Sequence, residues 1–357
     1  MSIDLMHYTN IASVPMHHIG PVKIIGEEIN DEVMVPLATY ESPLWPSTNR
    51  GAKVSRLAGG IRTVVIQDCM TRSVIIEAPT VVLANNVMVD LKARSLEISA
   101  VVTSTSQFAK LKDLNFQIVG KLLYLRISIS SGDASGHNMV TAAAEAVLNW
   151  VLMQYEELKY ISISGNYCVD KKASAVNGIL GRGKYVVAEL VVSRSICGDL
   201  LKTTPEKVVE LNIKKNLIGT MLAGGIRSAN AHFANVLLGL YLATGQDAAN
   251  IIEGSQGFVH AEITKTQELY FSVTLPNIIV GSVGNGKHLA FAKDNLEKLG
   301  CLATREAGAN GRRLAVIIGA TVLCGELSLL AAQTNPGELM RAHFGMERSD
   351  LHSRIQL

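Results

Sequence analysis

The chain has 357 residues, of which 48% are hydrophobic and 18% charged, with a formal net charge of +2. That length and apolar share suit about two domains with a large core and argue against disorder. Near-neutral charge and only 5% aromatic residues give neither the electrostatic footprint nor the stacking platforms of a nucleic-acid binder, and no pull towards an anionic membrane.

Residues 1–60 are rich in turn formers, and "SPLWPSTNRG" reads as a loop by composition. "TVVIQD" (Thr63–Asp68) and "SVIIEAP" (Ser73–Pro79) read as two strands, since β-branched residues dominate both. A helical segment, "TVVLANNVMVDLKA", follows, then two strand-like runs, "FQIVG" and "LLYLRISIS". The next helix carries an apolar stripe at Val140, Ala144, Val147, Leu148 and Val151, with Asp133 or Ser135 as its expected cap. The short strand "YISIS" comes next. Thr204 before Pro205 opens a further helix, and Gly245 is the expected stop of "NAHFANVLLGLYLATG". "LYFSVTLPNIIVGSVGNG" is strand-like with glycines, and helices fill the chain from Leu289 onward. The mixture is α+β, and residues 74–162 have the pattern of a small inserted α/β domain.

The apolar run "LAVIIGATVLCG" is expected to stop at Glu326, too short to span a bilayer, and to form a buried helix. The N-terminus lacks a basic segment followed by an apolar one, so no signal peptide is expected. The five cysteines are scattered without C-x-x-C spacing, which suits a reducing cytoplasm and a soluble protein.

Familiar chemistry is mostly missing. "GSVGNG" has its glycines in the wrong order for a dinucleotide fingerprint, and "GILGRGK" lacks phosphate-loop spacing. No Cys/His cluster has metal-ligand spacing, so no metal site is expected. What stands out is "SGNYCVDKK", Ser164–Lys172, where an acid and two lysines follow a buried-looking strand. From those residues alone a solvated turn is the default. Glu41, between apolar and proline-rich pieces, Asp247, an acid at a helix C-terminus that the helix dipole disfavours, and His343, near the chain end, are similarly ambiguous.

Taken together, "STNRG", "MTR", "SGDASGHNM", "SGNYCVDKK", "GRGK", "KNLIG", "NAHFAN", "GQDAA", "GSVGNG" and "GELSL" closely resemble the hydroxymethylglutaryl-coenzyme A reductases over nearly the whole chain. The "SGNYC…DKK" context is similar to the eukaryotic and archaeal branch. The resemblance implies reduction of the hydroxymethylglutaryl-coenzyme A (HMG-CoA) thioester to mevalonate by two hydrides, with release of coenzyme A. It implies catalytic roles for Glu41, Lys171, Asp247 and His343. Arg72, Ser164, Asp170, Lys172, Lys215 and Asn235 fall on substrate positions. Ser106, Gln107, Asp133, Gly136, Asn138, Gly281, Gly284 and Gly286 fall on cofactor positions. The implied fold is a large mixed domain, residues 1–73 and 163–357, with a small ferredoxin-like cofactor domain inserted at 74–162. A homodimer with active sites at its interface is implied too. The same chemistry run oxidatively, or a non-catalytic acyl-coenzyme A binder, are the alternatives.

Several positions depart from the family pattern. Ser42 and Pro43 follow Glu41 where a glycine is usual, Ser135 and His137 replace apolar residues, and Arg227 and Ser228 replace glycine. The NADPH-using branch has a Ser-Arg pair against the 2′-phosphate; here the pair is Ser106-Gln107. Without the guanidinium, the expectation is an enzyme that accepts NADPH but discriminates poorly against NADH. Lys110, Arg50 or Lys53 are the cations that would compensate.

Overall fold

The computed structural model describes residues 12–338, 340 and 341. Strands β1 (Met16–Gly26) and β2 (Asn30–Ala38) form an antiparallel hairpin. Helix α1 (Leu44–Leu57) follows, so the stretch expected as a loop is largely helical. Its Pro46 is the third helical residue, where an amide would have no intrahelical acceptor, so the ring costs nothing there. Much of the N-terminal region read as irregular is thus regular structure.

Strand β3 (Ile61–Glu77) is one 17-residue strand, not two. "CMT" continues it because Cys69, Met70 and Thr71 are all buried. The strand belongs to two sheets: its first half pairs with β1 and with β7 (Gly183–Val192), its second half with β5 (Leu122–Ser130) and β6 (Lys159–Ser162).

The segment after β3 builds its own layer. Helices α2 (Val81–Ala93) and α3 (Ser95–Thr105), strand β4 (Lys110–Val119), β5, helix α4 (His137–Gln154) and β6 follow in order. Thr80 caps α2 by accepting from the Leu83 amide at 3.2 Å. The sheet reads β4-β5-β3-β6, antiparallel throughout. The α4 stripe of Val140, Ala144, Val147, Leu148 and Val151 packs into a separate core with Val74, Ile76, Leu125 and Ile127. Neither Asp133 nor Ser135 caps α4. Its N-cap is Gly136, at φ +93°, with no side-chain bond. The Asp133 carboxylate is drawn away to accept from the Gly311 amide at 2.9 Å.

The larger layer continues through α5 (Ala175–Leu180), β7, α6 (Arg194–Asp199), α7 (Pro205–Leu211), a π-helical segment (Asn212–Gly219) and α8 (Thr220–Leu222). Then come β8 (Ser228–Ala229), α9 (Phe233–Ala243), a 3-10 turn (Ala248–Asn250), α10 (Ile251–Gly254), β9 (Gly257–Ile263), β10 (Leu269–Ile278), α11 (Ala290–Lys298) and α12 (Ala309–Gln333). Thr204 caps α7 as its sequence suggests, and α9 ends just before Gly245, at φ +65°. The sheet order is β2-β1-β3-β7-β10-β9-β8.

Helix α12 does not stop at Glu326. It runs 25 residues and is long and apolar enough to cross a membrane, but 94% of its most apolar window is buried inside the protein. Glu326 is tolerated there because its two oxygens accept from the Ala231 and His232 amides at 2.8 and 2.6 Å. Each fully buried Leu or Ile of this helix stabilises the fold by about 1.5–3 kcal/mol. Gly51 lets α1 approach α12 closely, since a Cβ there would lie 2.1 Å from the Cys324 carbonyl oxygen.

Candidate active site

The loop between β6 and α5 is strained without using glycine. Asn166, Val169 and Lys171 have φ of +56°, +42° and +55°. Such backbone costs roughly 1–2 kcal/mol per residue, and more for a β-branched valine. Buried polar groups hold it. Asn177 Nδ2 donates to the Val169 carbonyl at 2.8 Å. The Lys171 amide donates to Glu253 Oε1 at 3.1 Å, and Gln256 bonds both the amide and the carbonyl of Ser174.

Glu253 is the centre of this clamp. It is fully buried, on α10, and its Oε1 also accepts from Asn250 at 3.0 Å and from Arg182 at 2.9 Å. Burial pushes its carboxyl above the usual range, with the Lys171 amide and Arg182 pulling the other way. Arg182, 1% exposed, also pairs with Asp170 at 3.0 Å. One buried guanidinium therefore ties the loop to α10. Sequence reading assigned no role to either residue, although "GRGK" contains Arg182; an apolar setting around an acid in "NIIEG" was the only signal for Glu253.

The clamp presents the Lys171 side chain to Asp247, with Nζ 2.8 Å from Oδ2. That bond holds the ammonium above its ordinary range against a desolvation cost. Partial burial pushes the Asp247 carboxyl up, but Lys171 and the Ala249 amide outweigh it and leave it low. The pair is charged, half-exposed and available.

Lys171 and Asp247 line a cleft of about 750 Å³ together with Asp170, the first residues of α4 and the glycine loop 283–287. Gly136, Asn138, Gly284 and Gly286 all line it. Gly281 and Asp133 lie behind the wall: the Gly281 amide donates to Gln246 at 3.1 Å and the Ser282 amide to the Asp133 carbonyl at 2.8 Å. His137 also lines the cleft, with Nε2 3.9 Å from Asp170 Oδ1, too far for a hydrogen bond. Burial, then Arg182, pushes its imidazole down to about 4, so it is uncharged at neutral pH.

The other sequence-assigned residues sit elsewhere. Glu41 does not line the cleft; its Oε2 accepts from Asn235 Nδ2 at 2.8 Å, joining two of the assigned positions. Arg72 donates to the Thr141 hydroxyl at 3.1 and 2.8 Å. Lys172 turns back to the Asp170 carbonyl, Ser164 is exposed, and half-buried Lys215 reaches Asn216 at 3.3 Å. Gln107 lines a second pocket of about 240 Å³ with Lys110, Lys112 and Arg312, and the Ser106 hydroxyl accepts from the Phe108 amide. Arg50 is committed to Ser328 on α12. His343 lies outside the described residues.

Residues 7–348 match the family model of hydroxymethylglutaryl-coenzyme A reductase. The chain belongs to this family. It is 42% identical over 340 residues to a 3-hydroxy-3-methylglutaryl-coenzyme A reductase of Aeropyrum pernix, covering 95% of this chain and 80% of that one. The reductase of Pyrococcus horikoshii is 43% identical over 343 residues, covering 95% and 82%. Among solved structures, a class II reductase of Streptococcus pneumoniae bound to NADPH superimposes with a TM-score of 0.73, covering 91% of this chain and 86% of that one. At 19% identity that likeness speaks to the mixed α/β fold of the reductases. The clamped lysine therefore lies in a chain of the hydroxymethylglutaryl-coenzyme A reductase family, within the motif "SGNYCVDKK".

Proposed function

We propose that this chain reduces the HMG-CoA thioester to mevalonate in two hydride transfers from NADPH, releasing coenzyme A. The observation that carries the reading is the Lys171–Asp247 pair, 2.8 Å apart, at the wall of a cleft shared with the glycine loop. The cleft fits a dinucleotide. Gly284, at φ +103°, has open space where a side chain would project, and the uncapped start of α4 offers free amides beside it. Gly136, Asn138, Gly284 and Gly286 would hold the cofactor, with Asp133 and Gly281 bracing the wall. Bound there, the nicotinamide supplies the two hydrides.

Lys171 keeps its proton and stabilises the oxyanion that forms on the thioester carbonyl. Asp247 orients the ammonium. Asp170, fixed by Arg182, and Lys172, Ser164, Arg72, Lys215 and Asn235 position the hydroxymethylglutaryl end. Glu41 gives a proton to the alkoxide of the second reduction, and His343 gives one to the departing thiolate.

The region 74–162 is read as the inserted cofactor domain. Its order, a βαββαβ pattern with two consecutive helices, α2 and α3, in the first helical position, and the sheet β4-β5-β3-β6 support a ferredoxin-like unit. Residues 1–73 and 163–357 then form the large domain. A homodimer with active sites at the interface is supported by two features. Glu41 stands apart from the cleft, and Leu217, Ile218, Met221 and Leu222 expose 40–88% of their surface in one continuous stretch. Five buried, unpaired cysteines support a reducing cytoplasmic setting. Gln107 in place of arginine supports acceptance of NADH beside NADPH.

The test is stoichiometric. Purified protein with HMG-CoA should oxidise two NADPH for each coenzyme A thiol released and yield mevalonate. Binding of HMG-CoA without any nicotinamide oxidation would overturn the reading.

A further inference from the structure

The glycine loop carries one residue to which neither sequence nor comparison gives a role. Lys287 follows Gly286 directly, lines the cleft, and is only 8% exposed. Its Nζ touches one loop carbonyl, that of Asn285, at 3.2 Å. Among the described residues no carboxylate lies within ion-pair distance of it. A lysine this buried is normally paired, because desolvating an ammonium is expensive.

The other cations around the cleft are already used. Lys171 is bonded to Asp247, and Arg182 is bonded to Glu253 and Asp170. His137 carries no charge at neutral pH. That leaves Lys287 as the uncommitted cation of this wall among the described residues. The same cleft is lined by Gly136 and the first turn of α4, an 18-residue helix whose N-terminus has no side-chain cap. Two independent features, an unpaired buried ammonium and free helix amides, thus face one space. Both favour an anion.

We propose that Lys287 binds the diphosphate of the dinucleotide, bridging it to the N-terminus of α4. This rests on reading the cleft as the cofactor site. It adds a charged contact to a loop whose other lining residues, Val283, Gly284, Asn285 and Gly286, carry no charge. The 2′-phosphate is not involved, so Lys287 serves NADPH and NADH alike, and preference between them is set elsewhere, in the pocket of Gln107, Lys110 and Lys112.

The proposal carries a pH signature. Burial pushes the Lys287 ammonium down to about 8, and Asp247 opposes this only in part. The other groups facing the cleft are Asp170, Lys171 and His137. The free protein therefore loses the Lys287 charge as pH rises through about 8. A bound diphosphate restores it, so cofactor binding takes up a proton near pH 8.5.

The experiment is isothermal titration of the wild type, Lys287→Met and Lys287→Arg with NADPH, NADH, ADP-ribose and HMG-CoA, in two buffers of different ionisation enthalpy. Lys287→Met should weaken NADPH, NADH and ADP-ribose by a common factor of roughly tenfold or more. It should leave HMG-CoA within twofold and abolish proton uptake at pH 8.5. Lys287→Arg, which keeps the charge, should recover part of the loss and guards against misfolding of the apolar variant. An unchanged affinity for all three nucleotides, or a loss confined to HMG-CoA, whose coenzyme also carries a diphosphate, would overturn the proposal. A wild type that turns over with NADPH while Lys287→Met binds it normally refutes this inference alone. A wild type that binds neither nucleotide refutes the cofactor reading as well.

Discussion

Two loops meet at the cleft, and they manage unfavourable backbone in opposite ways. The loop before α11 places glycines at its left-handed positions, Gly284 at φ +103° and Gly286 at φ +85°. The loop before α5 places Asn166, Val169 and Lys171 there instead. Glycine releases strain at no steric cost but brings no side chain. Where the side chain itself is needed, as proposed for Lys171, glycine is not an option. The strain must then be held by surrounding structure, here Glu253, Arg182, Asn177 and Gln256. The glycine loop needs no such clamp; Gln246 and the backbone of Asp133 suffice.

The contrast can be broken in four places. Lys171→Ala should have the largest effect. Loss of an oxyanion partner costs about 2.7–4 kcal/mol of barrier, or roughly 10²–10³ in kcat. Circular dichroism should be unchanged, and near-normal turnover by a folded variant would remove Lys171 from the mechanism. Glu253→Gln comes next. It keeps an acceptor for the Lys171 amide but removes the buried charge that Arg182 answers, costing about 1–3 kcal/mol of stability. The kcat should drop about 10–100-fold while NADPH affinity, measured by titration, holds.

Gly284→Ala should act locally and more weakly. A side chain at φ +103° is strained by about 1–2 kcal/mol although the space beyond is open. Chemical denaturation should register that loss, and the KM for NADPH should rise several-fold, because the new methyl enters space the cofactor would fill. The smallest effect belongs to His137→Met. The imidazole titrates at about 4 in the folded chain and near 6.5 in the unfolded one. As pH falls from about 6.5 to about 4, the unfolded state takes the proton first, so the folded state loses stability over that window. Methionine removes the proton site, and the melting temperature should fall less steeply over it. Identical acid limbs for the two proteins would show that Arg182 and burial do not act on His137 as described.

Much of the fold could be read in advance, because the α4 stripe, the Thr204–Pro205 cap and the β5 pattern are local signals. The misreadings share a cause. Proline and serine in "SPLWPSTNRG" mark a helix start as readily as a loop, and tertiary packing distinguishes them, with Leu44, Ala52 and Val54 in the core and Gly51 against α12. "CMTR" looked like a break between strands because its burial comes from two layers meeting at β3. Asp133 looked like a cap until Gly311, 178 residues away, took its carboxylate. At the site, Lys171, Asp170 and Asp247 could be singled out because they sit in recognisable motifs. Glu253, Arg182 and Lys287 could not, since their meaning lies in contacts between segments far apart in sequence.

The central claim is that Glu253, through the Lys171 amide and through Arg182 and Asp170, holds the strained loop that carries the proposed catalytic lysine. A double-mutant cycle between Val169→Gly and Glu253→Gln, read in kcat/KM, tests it most directly. Glycine at 169 removes a large share of the strain at its source, since a left-handed conformation costs it nothing. The double variant should then be several-fold more active than Glu253→Gln alone. Independent losses that simply multiply, with no recovery from the glycine, would show that Glu253 does something other than hold this loop.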